Sequence, residues 1–162
     1  MRSEQEANRA IELYADTVRR ICMLYLKSYA DTEDIFQTVF IKYLCRSAAF
    51  ESAEHEKAWF IRVTINACKD LLKSFFKKRT VPLTQANELT EPPAPEHGDI
   101  LKAVLDLKEN YKNAVYLHYY EGYTAAQIGK LLHKSENTIY THLARARAIL
   151  KERLGDEFEQ DT

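Results

Sequence analysis

The stretch Gly122-Tyr-Thr124-Ala-Ala-Gln127-Ile-Gly129-Lys-Leu-Leu132-His-Lys-Ser135-Glu-Asn-Thr138-Ile139-Tyr140-Thr-His-Leu143-Ala-Arg145-Ala-Arg147 decides the fold of its half of the chain. Thr124 and Gln127 have capping-box spacing, so a short helix opens there and runs through Leu132. Ser135 is placed to cap a second, longer helix that continues to about Leu154 and stops at Gly155. Gly122 stands where a preceding helix would end in a left-handed residue. Between the two helices lies only the polar turn His133-Lys134-Ser135, which makes the pair a helix-turn-helix. Gly129 falls at the crossing, where lack of a β-carbon permits close approach. Ile128, Leu132, Ile139 and Leu143 would fill the seam.

With Ile139, Leu143, Ala146 and Leu150 facing inward, Tyr140, Thr141, Ala144 and Arg145 remain near the outer N-terminal end of the longer helix. That end of such a helix enters the DNA major groove, where Arg can donate two hydrogen bonds to guanine and Thr can contact bases or phosphates. Arg147 and Lys151 follow as phosphate contacts. A helical segment from Ile100 to Leu107 and another from Tyr111 to Tyr120 complete this half.

Upstream, the pattern is again helical. Ile11, Tyr14, Val18, Ile21, Cys22 and Tyr25 form one apolar stripe. A second helix starts near Asp31, whose side chain is placed to cap it, and buries Ile35, Phe36, Val39, Phe40, Tyr43 and Leu44. A third, from Glu56 to Lys78, buries Phe60, Val63, Ala67 and Leu71 and presents Arg62, Asn66, Lys69 and Lys73 on its opposite face. No period-two alternation occurs. The expected fold class is all-α: two small helical domains joined by a flexible acidic linker.

All four prolines fall between Pro82 and Pro95, in a stretch without apolar periodicity. The division is a domain at 1–79, a linker at 80–99, a second domain at 100–155 and an acidic tail at 156–162. The linker's roughly 60 Å of extended reach compares with two turns of B-DNA at about 34 Å each.

The formal net charge of −1 over 162 residues hides a sorted distribution. Residues 57–79 carry a net +6, residues 80–99 a net −4, residues 100–155 a net +4 and the tail −4. Two basic segments divided by an acidic one suggest two anion-binding surfaces. In the first of them, Trp59 and Phe60 lie beside the Arg62/Asn66/Lys69/Lys73 stripe. Aromatic rings beside cations suit unpaired nucleic acid, although both rings could serve the core and Phe60 fits a core position better.

Other classes of function are not indicated. Three cysteines without a CxxC pair (Cys22, Cys45, Cys68) give neither a disulfide framework nor a zinc site. No apolar run is long enough to span a membrane and no signal-peptide core is visible, so a reduced, cytoplasmic protein is expected. Asp31, Glu33 and Asp34 do not converge as metal ligands. No nucleophile triad or phosphate-cradling glycine loop is present, so neither an enzyme nor a cofactor is expected.

The residues carry a resemblance to the extracytoplasmic-function (ECF) sigma factors of the sigma-70 family of bacterial RNA polymerase, over about residues 8–154. The segment Asp31-Thr-Glu-Asp34-Ile-Phe-Gln37-Thr38-Val-Phe-Ile-Lys42 is similar to the helix with which that family docks on the polymerase. Lys57-Ala-Trp59-Phe-Ile-Arg62-Val-Thr-Ile-Asn66-Ala-Cys-Lys69-Asp resembles its segment that captures the melted −10 element. Tyr119-Tyr-Glu-Gly-Tyr-Thr124 through Thr138 to Arg147 resembles region 4, which reads the −35 element as duplex.

The resemblance implies Asp34, Gln37, Thr38 and Lys42 as polymerase contacts. It implies Phe50, Trp59, Arg62, Asn66, Lys69 and Lys73 for the −10 strand, with the loop 46–56 as part of a pocket for a flipped base. For the −35 duplex it implies Ser135, Thr138, Tyr140, Thr141, Ala144, Arg145, Arg147 and Lys151. The implied partners are core RNA polymerase (its β′ clamp coiled coil and β flap), promoter DNA and an anti-sigma factor, with no direct membrane insertion. Lys108, Thr38, Gln127-Ile-Gly129, Tyr140 and His142 depart from the family pattern. An autonomous helix-turn-helix regulator, binding duplex without polymerase, is the competing reading.

Overall fold

Serine hydroxyls open each of the first three helices. In the computed structural model, which describes residues 1–78 and 98–155, α1 spans Glu4–Tyr25, α2 Tyr29–Cys45 and α3 Ala53–Lys78. The Ser3 hydroxyl accepts the Glu6 amide at 3.1 Å, and Glu4 and Glu6 favour the positive end of that helix dipole. Ser28, not Asp31, caps α2: its hydroxyl accepts the Asp31 amide at 3.3 Å. A serine three residues earlier takes the capping place, which leaves Asp31 in the first turn of the helix. Likewise α3 begins at Ala53 rather than Glu56, because Ser52 accepts the His55 amide at 3.0 Å.

The chain divides into two compact units, residues 1–90 and 91–162. The linker expected at 80–99 falls outside the described residues except for Gly98 and Asp99, and the tail expected at 156–162 falls wholly outside them.

In the first unit α1, α2 and α3 pack together around Phe60, which is fully buried. Tyr14, Phe40 and Tyr43 surround its ring at centroid distances of 4.6, 5.2 and 5.1 Å. Burying such a ring contributes about 1.5–3 kcal/mol, and well-placed ring pairs about 0.5–1.5 kcal/mol more. The stripe expected on α1 is one residue out at its start: Ala10 is buried and Ile11 is 41% exposed. On α3 the buried arc is wider than expected, taking in Trp59, Phe60, Ile61, Thr64, Ile65, Ala67 and Cys68, while Val63 and Leu71 are only half-buried. Contact with two helices at once requires the wider arc.

A buried carboxylate ties the three helices together. Glu56 accepts hydrogen bonds from Tyr14 Oη at 2.8 Å, Arg9 Nη2 at 3.1 Å and Tyr43 Oη at 3.4 Å. Burial first, then the hydrogen bond to Glu56 and the charge of that carboxylate, push the Tyr14 hydroxyl well above its ordinary pKa. Tyr43 is raised by burial and then by the Glu56 charge. Nearby, the Cys22 and Cys68 thiols lie buried 4.0 Å apart as free cysteines.

In the second unit α4 (Gly98–Leu105), α5 (Glu109–Val115), a π-helical turn (Tyr116–Tyr120), α6 (Ala125–Leu132) and α7 (Glu136–Leu154) follow in order. The segment expected as one helix over 111–120 is therefore α5 and a wider turn, starting two residues earlier. Ala103, Leu107, Val115, Ala146 and Leu150 form a buried cluster. Among the described residues there is no strand.

Candidate nucleic-acid interfaces

The α6–α7 pair is built as its punctuation implies. The Thr124 hydroxyl accepts the Gln127 amide at 3.2 Å while Gln127 Oε1 accepts the Thr124 amide at 2.9 Å, a complete capping box. Ser135 accepts the Thr138 amide at 3.1 Å and shares a 2.7 Å hydrogen bond with the Thr138 hydroxyl. Gly122 has a φ of +78°. The turn itself is reversed by His133 at a φ of 58°, a left-handed position held by a non-glycine residue. The seam holds Ile128, Leu131, Ile139 and Leu143 buried, with the expected Leu132 half-buried.

On α7, Tyr140 is 56% exposed, and Thr141, Ala144, Arg145, Arg147 and Lys151 are exposed with it; Thr138 is half-buried and Ser135 exposed. The Thr141 hydroxyl donates to the Asn137 carbonyl at 3.0 Å. Arg147 donates its Nε hydrogen to the Tyr119 hydroxyl and lies 5.5 Å from that ring's centroid. The π-helical turn carries Tyr119 to this contact, and sequence reasoning quoted Tyr119 only as part of a motif. Burial, and then the Lys134 and Arg145 charges, hold His142 below its ordinary pKa, with the Tyr111 ring edge-on at 5.7 Å.

The first unit presents a different surface. Along α3, Asn66 and Lys73 are exposed and Arg62 and Lys69 half-buried. Trp59, expected as a ring beside this stripe, is 6% exposed and packs edge-on against Phe60 at 5.1 Å. It serves the core. The ring nearer solvent is Phe50, in the loop 46–52, half-buried and parallel to Tyr43 at 6.2 Å. The Arg46 guanidinium stands 4.7 Å from the Phe50 centroid and 5.8 Å from that of Trp59. Arg46 Nε is buried with no hydrogen-bond partner. Sequence reasoning did not single out Arg46, although a lone arginine directly after an apolar helix was the available signal.

The outward face of α2 carries Asp34, Gln37, Thr38 and Lys42, all exposed. Thr38 is turned back, its hydroxyl donating to the Asp34 carbonyl at 2.9 Å. Ile41, 58% exposed, lies among them. Among the described residues no three His, Cys, Asp or Glu side chains come together to hold a metal ion, and no helix is long and apolar enough to cross a membrane.

Both units match family models. Residues 10–79 match sigma-70 region 2, and residues 97–150 match sigma-70 region 4. The class is thus a two-region sigma factor, a regulator of transcription initiation, with region 4 as its DNA-binding helix-turn-helix. The chain belongs to the sigma-70 family, in its extracytoplasmic-function group.

The relatives agree with this. The ECF sigma factor SigW of Bacillus subtilis is 23% identical over 166 residues, covering 90% of this chain and 87% of the relative. SigM of Mycobacterium tuberculosis is 26% identical, covering 85% and 71%. Among solved structures, the sigma factor RpoE in complex with the anti-sigma factor NepR from Bartonella quintana superposes with a TM-score of 0.67 at 18% identity, over 93% of this chain and 97% of that one. CnrH in complex with the cytosolic domain of CnrY gives 0.67 at 15%, over 94% and 89%. These likenesses are likenesses of fold.

Proposed function

We propose that this chain binds core RNA polymerase, directs it to promoters through −35 and −10 elements, and assists their melting, acting in the cytoplasm. The observation that carries the reading is the succession, in one chain, of a basic α3 surface preceded by a loop that holds the half-buried Phe50 ring, and of a fully capped helix-turn-helix. The first suits unpaired strand and the second duplex.

In this reading Asp34, Gln37, Thr38 and Lys42 on α2 meet the β′ clamp coiled coil. Phe50, Arg62, Asn66, Lys69 and Lys73 hold the non-template −10 strand, with Trp59 bracing Phe50 at 5.8 Å rather than touching DNA. Tyr140, Thr141, Ala144 and Arg145 face the −35 bases. Ser135, Thr138 and Lys151 serve the phosphate backbone, and Arg147 joins them from its place on Tyr119. The β flap and an anti-sigma factor are further partners, the latter supported by the Bartonella complex of similar fold.

The test is reconstitution. The purified chain, core polymerase and fragmented genomic DNA should give discrete run-off transcripts, and background alone would overturn the proposal. Tight duplex binding without polymerase would favour an autonomous regulator instead.

A further inference from the structure

Arg2 precedes the region-2 match, yet it is among the most connected side chains of the first unit. Its backbone amide donates to the Leu44 carbonyl at 3.0 Å, its Nε to the Tyr43 carbonyl at 3.1 Å and its Nη2 to the Ala48 carbonyl at 2.9 Å. Its Nη1 pairs with Glu6 at 3.2 Å, and the side chain is only 15% exposed. The guanidinium also lies 4.5 Å from the Tyr43 ring centroid and 5.1 Å from that of Phe50. Tyr43 and Leu44 belong to the last turn of α2, where a cation complements the dipole; the Tyr43 carbonyl also accepts the Arg46 amide at 3.2 Å. Ala48 and Phe50 belong to the loop that follows. One side chain thus fastens the end of α2, the loop and the Phe50 ring to the segment before α1.

The same loop holds a donor without a use. Arg46 Nε is buried and unmatched, beside the same Phe50 ring. A half-buried aromatic ring with a guanidinium 4.7 Å from its centroid suits a single unpaired nucleotide, the ring for its base and the cation for its phosphate.

We propose that Arg2 is a positioning residue for promoter opening, holding loop 46–52 so that Phe50 and Arg46 receive one unpaired nucleotide of the melted strand. This rests on the initiation reading above. A loop free to move would have to be ordered at the moment the base leaves the duplex, and Arg2 orders it beforehand. Lysine cannot take this place, because one ammonium does not reach two carbonyls while covering two rings.

The test uses holoenzyme made with the full chain, on a promoter recovered by the run-off screen. Two templates are compared: the complementary duplex, and one mismatched across the −10 element. Arg2→Ala should slow opening of the duplex, read by permanganate reactivity, by about tenfold, while its run-off transcript yield on the mismatched template, which is already open, should fall within about twofold of the unmodified chain. Arg2→Lys should share the defect, and Arg46→Gln should reproduce it.

Unchanged opening, full rescue by lysine, or equal loss on both templates by a variant whose melting curve and assembly into holoenzyme match the unmodified chain would each overturn the assignment, and Arg2→Lys supplies the folded comparison should Arg2→Ala unfold. An unmodified chain inactive on both templates would overturn the initiation reading and this assignment with it. An active unmodified chain beside a fully active Arg2→Ala would overturn the assignment alone.

Discussion

A β-carbon added to Gly129 would sit 2.6 Å from the carbonyl oxygen of Lys134, a main-chain atom that cannot swing aside. The same turn is pinned by the Lys134 amide donating to the Gly129 carbonyl at 2.8 Å. Alanine gains about 1 kcal/mol of helix propensity over glycine, but overpacking a fixed turn costs about 1–3 kcal/mol. Gly129→Ala should therefore lower the thermal midpoint and weaken −35 duplex binding together. A midpoint equal to that of the unmodified chain would show that the helices can part without cost.

Asp34→Arg reverses a charge on an exposed helix face that makes no core contact. It should abolish co-purification with core polymerase while leaving the helical circular dichroism and melting curve unchanged. Retained co-purification would remove α2 from the docking surface.

Arg145 and Arg147 should behave differently although they are two residues apart. Arg145→Ala should cost about 1–3 kcal/mol and relax base preference at one −35 position, read by competition among −35 variants. Arg147 is engaged by Tyr119, so Tyr119→Phe should reproduce much of the effect of Arg147→Ala, uniformly across sequences. Equal, uniform losses from both arginine variants would reassign Arg145 to the phosphates.

The Glu56 cluster should show in stability rather than in DNA binding. Tyr14→Phe removes a buried hydrogen bond to a charged acceptor and should cost about 1.5–3 kcal/mol in denaturant unfolding of the first unit. Glu56→Ala should cost more, because Tyr14 and Tyr43 lose their acceptor together.

His142 gives a pH dependence of definite sign. Its folded pKa is depressed below 6.5, so in the window just below that value the unfolded chain binds more protons than the folded one. Stability is thus complete above the unfolded value and is lost as pH falls from there through the lowered folded value. His142→Gln should flatten that part of the midpoint-versus-pH curve, and an unaltered slope would show that the Tyr111–Lys134–Arg145 surroundings do not matter.

What the sequence disclosed follows from the kind of interaction involved. Thr124, Gln127, Ser135 and Gly122 act on their own neighbourhood, at fixed spacing, and could be read directly. The α3 core is broader than its periodicity indicates because a helix covered on two sides buries more than one stripe. Trp59 looked like a stacking ring because its neighbours Arg62 and Asn66 face outward, while its own position lies in the wider buried arc. Arg2 left no signal, since its partners are main-chain carbonyls 41 and 46 residues away, and any residue type supplies those. The left-handed His133 was missed for the converse reason, as nothing in the side chain advertises the conformation.

The π-helical turn at Tyr116–Tyr120 has a consequence for descent. Its wider coil contains one residue more than an α-turn, and one residue corresponds to about 100° of screw. Deleting a single residue there would let α5 run on straight, but would bring a different side chain to Arg147 and re-aim the Gly122 bend. Across descendants this turn should therefore tolerate replacement of a residue far better than loss of one.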